Sequence, residues 1–178
     1  MTHAELVIMA SAWLRKFHPV VITEMANGSF ETPDALGIGG RVRGAAVKEK
    51  WGVQGSTLIE CKTSRADFLV DAKKAFRILP ELGLGKLRFF LTPPGLLTGS
   101  ELPPAWGLLE ARDGKIRVVA KAAPQPFSAE REVIVLVSAL RRIGRDVPDG
   151  AGVSVDFYAY KTKNTATLGV AADEETFA

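Results

Sequence analysis

What most constrains the fold of this chain is the alternation of its hydrophobic spacing between helical and extended periods. Leu6, Met9, Ala10, Trp13, Leu14 and Phe17 recur at three-and-four spacing over residues 4–17. That predicts an amphipathic helix, ended by His18-Pro19. Val20, Val21 and Ile22 form a β-branched run that ends near Glu24. After the turn signal Asn27-Gly28, residues 33–38 predict a second strand. Residues 56–63, STLIECKT, predict a third. Ser64 can cap a helix over 65–79, with Phe68, Leu69, Ala72 and Phe76 as its apolar stripe. Residues 87–91 read as a strand stopped by Pro93-Pro94. The order is helix, three strands, helix, strand. The fold class expected is α/β, a mixed and mostly antiparallel central sheet flanked by helices.

The remainder extends that core. Residues 106–111 and 115–121 predict a hairpin through Asp113-Gly114, a favoured two-residue turn. Residues 128–144 predict a second amphipathic helix, and VSVDFYAY near the end is strand-like. We expect one domain over 1–145 and a C-terminal extension over 146–178, partly strand-like and then a mobile tail. The chain has 178 residues, 47% of them hydrophobic and 24% charged, which excludes global disorder, collagen and coiled coil. Charged or polar residues break each apolar run well short of the ~18 needed to cross a membrane, so no membrane partner is expected. Glu5 interrupts the first apolar stretch and no basic leader precedes it, so it reads as a helix and not a signal peptide. A single cysteine excludes an internal disulfide framework and fits a reducing, cytoplasmic location.

Charge is unevenly spread. Residues 41–90 carry eleven Lys/Arg against five Asp/Glu, whereas the rest carries twelve against fifteen. That asymmetry suits an anionic partner for the central block, beside the blander reading of scattered, solvated lysines.

The chemistry concentrates on Asp34 and on Glu60-Cys61-Lys62. In a strand alternate side chains share a face, so Leu58, Glu60 and Lys62 project together while Thr57, Ile59 and Cys61 face the other way, Cys61 into the core. Asp34 and Glu60 together suit Mg²⁺, which takes oxygen ligands at about 2.0–2.1 Å and keeps several waters. The backbone carbonyl of Cys61 could be another ligand. Lys62 could position or help deprotonate the attacking water and offset charge on a phosphorane-like transition state. Blander readings stand beside these. Asp34 after Pro33 also suits a turn, and Glu60 with Lys62 an exposed cross-strand pair. Glu24 also suits a solvated strand end.

At these residues the sequence resembles the PD-(D/E)XK nuclease superfamily. Pro33-Asp34 on one strand and Glu60-x-Lys62 on the next carry the likeness, within the expected element order, over roughly residues 4–92. The interval of 26 positions from Asp34 to Glu60 is long and requires residues 39–55 to be an inserted loop. The stretch ECKTSRADFLVDAKKAFR is similar to the segment after the catalytic strand in MmcB-like bacterial DNA-repair nucleases, which also carry a "TE" before the acidic strand, here Thr23-Glu24. The resemblance implies a restriction-endonuclease-like core and Mg²⁺- or Mn²⁺-dependent cleavage of DNA in repair or recombination. It implies Asp34, Glu60, Lys62 and Glu24 as catalytic residues. Archaeal junction resolvases would be distant relatives by fold, which implies a homodimer and an acid on the first helix, here Glu5. The superfamily also contains members that bind without cutting.

For the nucleic acid, Ser64, Arg65, Lys73, Lys74 and Arg77 are candidate phosphate contacts. Lys73 and Arg77 lie one turn apart on a helix. The competing reading is that cations near a helix C-terminus simply complement its dipole, with Asp71 pairing Lys74. Arg43, with Arg41, Lys48 and Lys50 around Trp51, suits a basic loop with a stacking aromatic. One Cys and two His give no zinc pattern, and Gly37-Ile38-Gly39-Gly40 lacks the rest of a phosphate loop. Three hypotheses therefore enter: a metal-dependent DNA endonuclease, a non-catalytic DNA-binding module of the same fold, and a protein-interaction scaffold.

Overall fold

The computed structural model describes residues 1–25, 31–42 and 53–143. Helix α1 (His3–Leu14) opens the chain on a capping box. Thr2 Oγ1 accepts from the Glu5 amide, and Glu5 Oε2 accepts from the Thr2 amide at 2.7 Å. Strands β1 (Val20–Thr23) and β2 (Ala35–Ile38) pair antiparallel. A two-stranded ribbon follows, β3 (Arg41–Val42) with β4 (Val53–Gln54). Strand β5 (Thr57–Cys61) then returns beside β2, antiparallel to it. The ribbon thus absorbs the long interval between Asp34 and Glu60, and β2 and β5 are sheet neighbours. Arg43 and Trp51, assigned to the basic loop, lie outside the described residues, as does the strand-like VSVDFYAY segment.

Helix α2 (Arg65–Asp71) and the one-turn α3 (Ala75–Ile78) connect β5 to β6 (Leu87–Thr92). Strand β7 (Gly107–Arg112) and strand β8 (Lys115–Ala120) form the expected hairpin, with Asp113 and Gly114 both at positive φ. Helix α4 (Ala129–Ile143) ends the described chain. The sheet order is β1-β2-β5-β6-β7-β8. The pairs β5–β6 and β6–β7 are parallel and the other three antiparallel, so the sheet is mixed. Among the described residues no helix is long and apolar enough to cross a membrane.

Two cores sandwich the sheet. On one face α1 sets Leu6, Ala10, Trp13 and Leu14 against Ile59, Cys61, Phe89 and Leu91. On the other, Phe68 and Val135 cover Leu58, Phe90, Trp106 and Leu108. Alternation along β5 therefore runs as expected, and the Glu60 face is the one roofed by α2 and α4. Close packing fixes the β1–β2 corner as well. A Cβ on Gly37 would stand 2.5 Å from the His18 ring, whose Nε2 lies 3.0 Å from Thr57 Oγ1.

One expectation fails. The single helix over 65–79 is two helices, with Lys74 in extended geometry at φ −68°, ψ 140°. Its expected stripe fails too: Leu69 is exposed, and the inward side chains are Phe68, Asp71 and Arg77. The physical reason is electrostatic. Positions six apart lie about 120° apart around a continuous helix. The break turns Arg77 back so that its Nε donates to Asp71 Oδ2 at 2.7 Å.

Candidate functional site

At the C-terminal end of β5 the sheet buries a cluster of charges. Asp34 stands one residue before β2, beyond the last ladder pair Ala35–Ile59. Its Oδ2 accepts the Cys61 amide at 2.7 Å, a bond that closes the gap between the strands and fixes the carboxylate. In an extended strand a residue's N–H and C=O project to the same side, so the Cys61 carbonyl faces the edge where Asp34 sits. The Cys61 thiol is on the α1 face, pushed up by burial, and takes no part in the site.

Glu60 and Lys62 project from the opposite face, as the alternation predicts, but they are not an exposed pair. Their side chains are 3% and 6% exposed. Lys62 Nζ donates to Glu60 Oε2 at 3.4 Å and lies 3.5 Å from Asp71 Oδ1. Arg77 Nη2 stands 3.0 Å from Glu60 Oε1, and Arg77 Nη1 2.5 Å from Glu31 Oε1. Glu31 Oε2 accepts the Leu84 amide at 2.8 Å. Lys74 Nζ reaches Asp71 Oδ1 at 2.6 Å from the half-exposed rim.

Four carboxylates, Glu31, Asp34, Glu60 and Asp71, therefore meet two enclosed cations and one at the rim. The surplus of negative charge shows in the titrations. Burial pushes Glu60 up to about 7, with Asp34 and Asp71 adding to the rise against Arg77 and Lys62. Burial also raises Asp34, against the Cys61 amide that lowers it. For Lys62 burial works downward, but Glu60, Asp71, Asp34 and Asp67 outweigh it and hold the ammonium protonated. Arg77 is likewise held cationic by Glu60, Glu31 and Asp71 in spite of its burial.

Glu24 follows β1 in left-handed geometry, φ 44°, a conformation uncommon for a residue other than glycine. Its carboxylate is exposed, and its Oε1 lies 3.4 Å from His3 Nε2, which is also 3.6 Å from Asp34 Oδ1. The first helix thus supplies His3 to the site, while Glu5 is consumed by the N-cap.

The phosphate contacts divide. Lys73 is exposed and Lys74 half-exposed at the rim. Ser64 caps α2 by accepting the Asp67 amide. Arg65 is exposed, yet it pairs with Glu101 and donates to the Leu96 carbonyl at 3.2 Å. Arg77 must be corrected. It is buried, all its nitrogens face carboxylates, and its work is to hold Glu60, Asp71 and Glu31 and not a surface phosphate. Sequence reasoning missed Glu31 and His3, and named Asp71 only as the partner of Lys74, a pair the structure shows.

Among the described residues no group of three or more His, Cys, Asp or Glu side chains is arranged to hold a metal by itself. A magnesium ion does not need one, since one or two carboxylates with a carbonyl and waters suffice. The donors fit such an ion in two respects. Glu60 Oε1 is buried and ion-paired with Arg77 Nη2 at 3.0 Å but makes no hydrogen bond, as is also true of Asp71 Oδ1 and of Arg77 Nη2 itself. The carboxylates also exceed the buried cations. Asp34, Glu60 and the Cys61 carbonyl are the atoms that would hold it.

No protein-family model matches the chain, and no curated protein is significantly similar to it. Among solved structures it is similar to a protein of unknown function from Silicibacter pomeroyi. The two share 25% identity at a TM-score of 0.53, over 86% of this chain and 97% of the other. That likeness concerns the fold.

Proposed function

We propose that the chain is a Mg²⁺- or Mn²⁺-dependent endodeoxyribonuclease of restriction-endonuclease-like fold, working in DNA repair or recombination. The observation that carries this reading is the bond from the Cys61 amide to Asp34. It sets the Asp34 carboxylate across the strand gap from Glu60-Cys61-Lys62, the pattern the PD-(D/E)XK resemblance requires. Asp34, Glu60 and the Cys61 carbonyl would hold the ion, which when bound would supply Lewis-acid polarisation of the phosphate and a more acidic water. Lys62 is kept an ammonium by its carboxylate neighbours, so it acts as a donor and not as the base. It orients the attacking water and offsets charge on the phosphorane-like transition state. Glu24, with His3 beside it, is the auxiliary acid at the open rim. Lys73 and Lys74 follow the phosphate backbone, and Ser64 and Arg65 flank them at the start of α2.

A second reading, a DNA-binding module that does not cut, draws on one observation. Glu60 already faces Arg77 and Lys62, and its carboxylate is almost fully enclosed.

Cleavage of a labelled panel of duplex, flap, junction and single-stranded DNA with Mg²⁺, Mn²⁺ or EDTA tests the proposal. Wild type runs beside Asp34→Ala and Lys62→Ala, each checked for folding by circular dichroism. Metal-dependent cutting lost in both variants is the expected result. Salt-sensitive binding without cutting selects the second reading. Neither binding nor cutting removes both.

A further inference from the structure

Helix α4 is apolar on two sides, and the sheet covers one of them. Val135 and Ala139 are buried against the Glu60 face of the sheet. On another side Val133, Ile134, Val137 and Leu140 remain 55%, 36%, 43% and 45% exposed. Their three-and-four spacing makes one continuous stripe. A helix apolar on more than one side is normally buried on more than one side. Charge marks what fits this stripe. Glu130 and Arg141, both exposed, lie eleven residues apart, close to three full turns, so they stand on the same line of the helix at its two ends. The midpoint between them falls near the centre of the apolar stripe.

We infer that this face joins two copies of the chain, with the two α4 helices antiparallel about a two-fold axis. In that arrangement the stripe packs on itself, and Glu130 of each copy meets Arg141 of the other, twice over. A parallel pair would set like charge against like. An isologous contact needs only this self-complementary patch, and the helix dipoles oppose favourably in the antiparallel pair. The contact is far in sequence from Asp34, Glu60 and Lys62 and stands or falls independently of the nuclease reading.

Sedimentation equilibrium of the full chain without DNA, over a range of concentrations, tests it. A monomer–dimer equilibrium is expected. Val137→Glu should weaken the dimer by about tenfold or more and leave the melting temperature of the monomer unchanged, because the position is exposed. Glu130→Arg and Arg141→Glu should each weaken it by about threefold, and the double variant should restore it. A monomer at every concentration overturns the inference, as does a dimer indifferent to these variants. So does Val137→Glu melting earlier than wild type at concentrations where both are monomers, which would mean that the face is covered within one copy.

Discussion

The Glu60 face of β5 carries two buried charge clusters, one at each end of the strand, built on opposite principles. At the N-terminal end Glu132 of α4 accepts the Ser56 hydroxyl and, at 2.9 Å, the Gly85 amide. Ser56 in turn accepts the Lys86 amide. Nearby Arg88, fully enclosed, donates to the carbonyls of Gly85, Pro80 and Pro126, leaving only its Nη1 without a hydrogen bond. Burial lowers Arg88 to about 10. Here charge is matched by dipoles of the backbone. At the C-terminal end charge is matched by charge, carboxylates outnumber buried cations, and Glu60 Oε1 is left without a hydrogen bond. Both clusters thus leave a buried atom without a hydrogen bond, but only the C-terminal one leaves carboxylate oxygens so, Glu60 Oε1 and Asp71 Oδ1, and on the proposed reading a further cation would take that acceptor capacity.

That difference predicts unequal penalties. Arg77→Ala should cost about 3–5 kcal/mol in urea denaturation, because it leaves buried carboxylates uncompensated. Glu132→Ala should cost about 1–3 kcal/mol, the usual penalty for orphaned donors. Equal costs would break the comparison. Smaller and more pointed is the pair of amide variants. Glu132→Gln should destabilise by about 1 kcal/mol through its weakened hydrogen bonds. Glu60→Gln should be neutral or stabilising, because it removes the surplus charge that burial penalises.

The acid–base behaviour sharpens this further. Glu60 binds its proton more tightly folded, near pH 7, than unfolded, near 4.5. Its contribution to stability is therefore complete below pH 4.5 and is lost as the pH rises through about 7. Wild type should lose stability between pH 5 and 8 more steeply than Glu60→Gln does in the same denaturation series. Added Mg²⁺ should restore part of that loss at the upper end, by the ordinary linkage of a ligand that binds only the folded state. A loss of equal slope in the two proteins would remove Glu60 as its source.

How much of this could be read from the sequence follows from which periodicities carried it. The faces of β5 were legible, since alternation over five residues admits one assignment, and with them the shared face of Glu60 and Lys62. The Asp113-Gly114 hairpin was legible because its turn chemistry is specific. The grouping of Asp34 with Glu60 could be proposed from the chemistry of the two carboxylates, but the bond from the Cys61 amide to Asp34 could not, since the β3–β4 ribbon that brings β2 beside β5 leaves no spacing rule to follow. Arg77 was read as a surface cation because helix periodicity assumes an unbroken helix. The break at Lys74 is set by the pull of Glu31 and Asp71, a tertiary effect with no local signal. Glu31, alone ahead of Pro33, had no pattern at all to join. His3 likewise had no signal, since only the fold brings the start of α1 beside Glu24 and Asp34.

The central claim is that the cluster at the C-terminal end of β5 receives a divalent cation and the one at its other end does not. Calorimetric titration of Mn²⁺ into wild type, Glu60→Gln and Glu132→Gln at pH 8 tests it most directly. The account predicts one site in wild type, its loss in Glu60→Gln and its retention in Glu132→Gln. Binding that survives Glu60→Gln, or that disappears in Glu132→Gln, would contradict it.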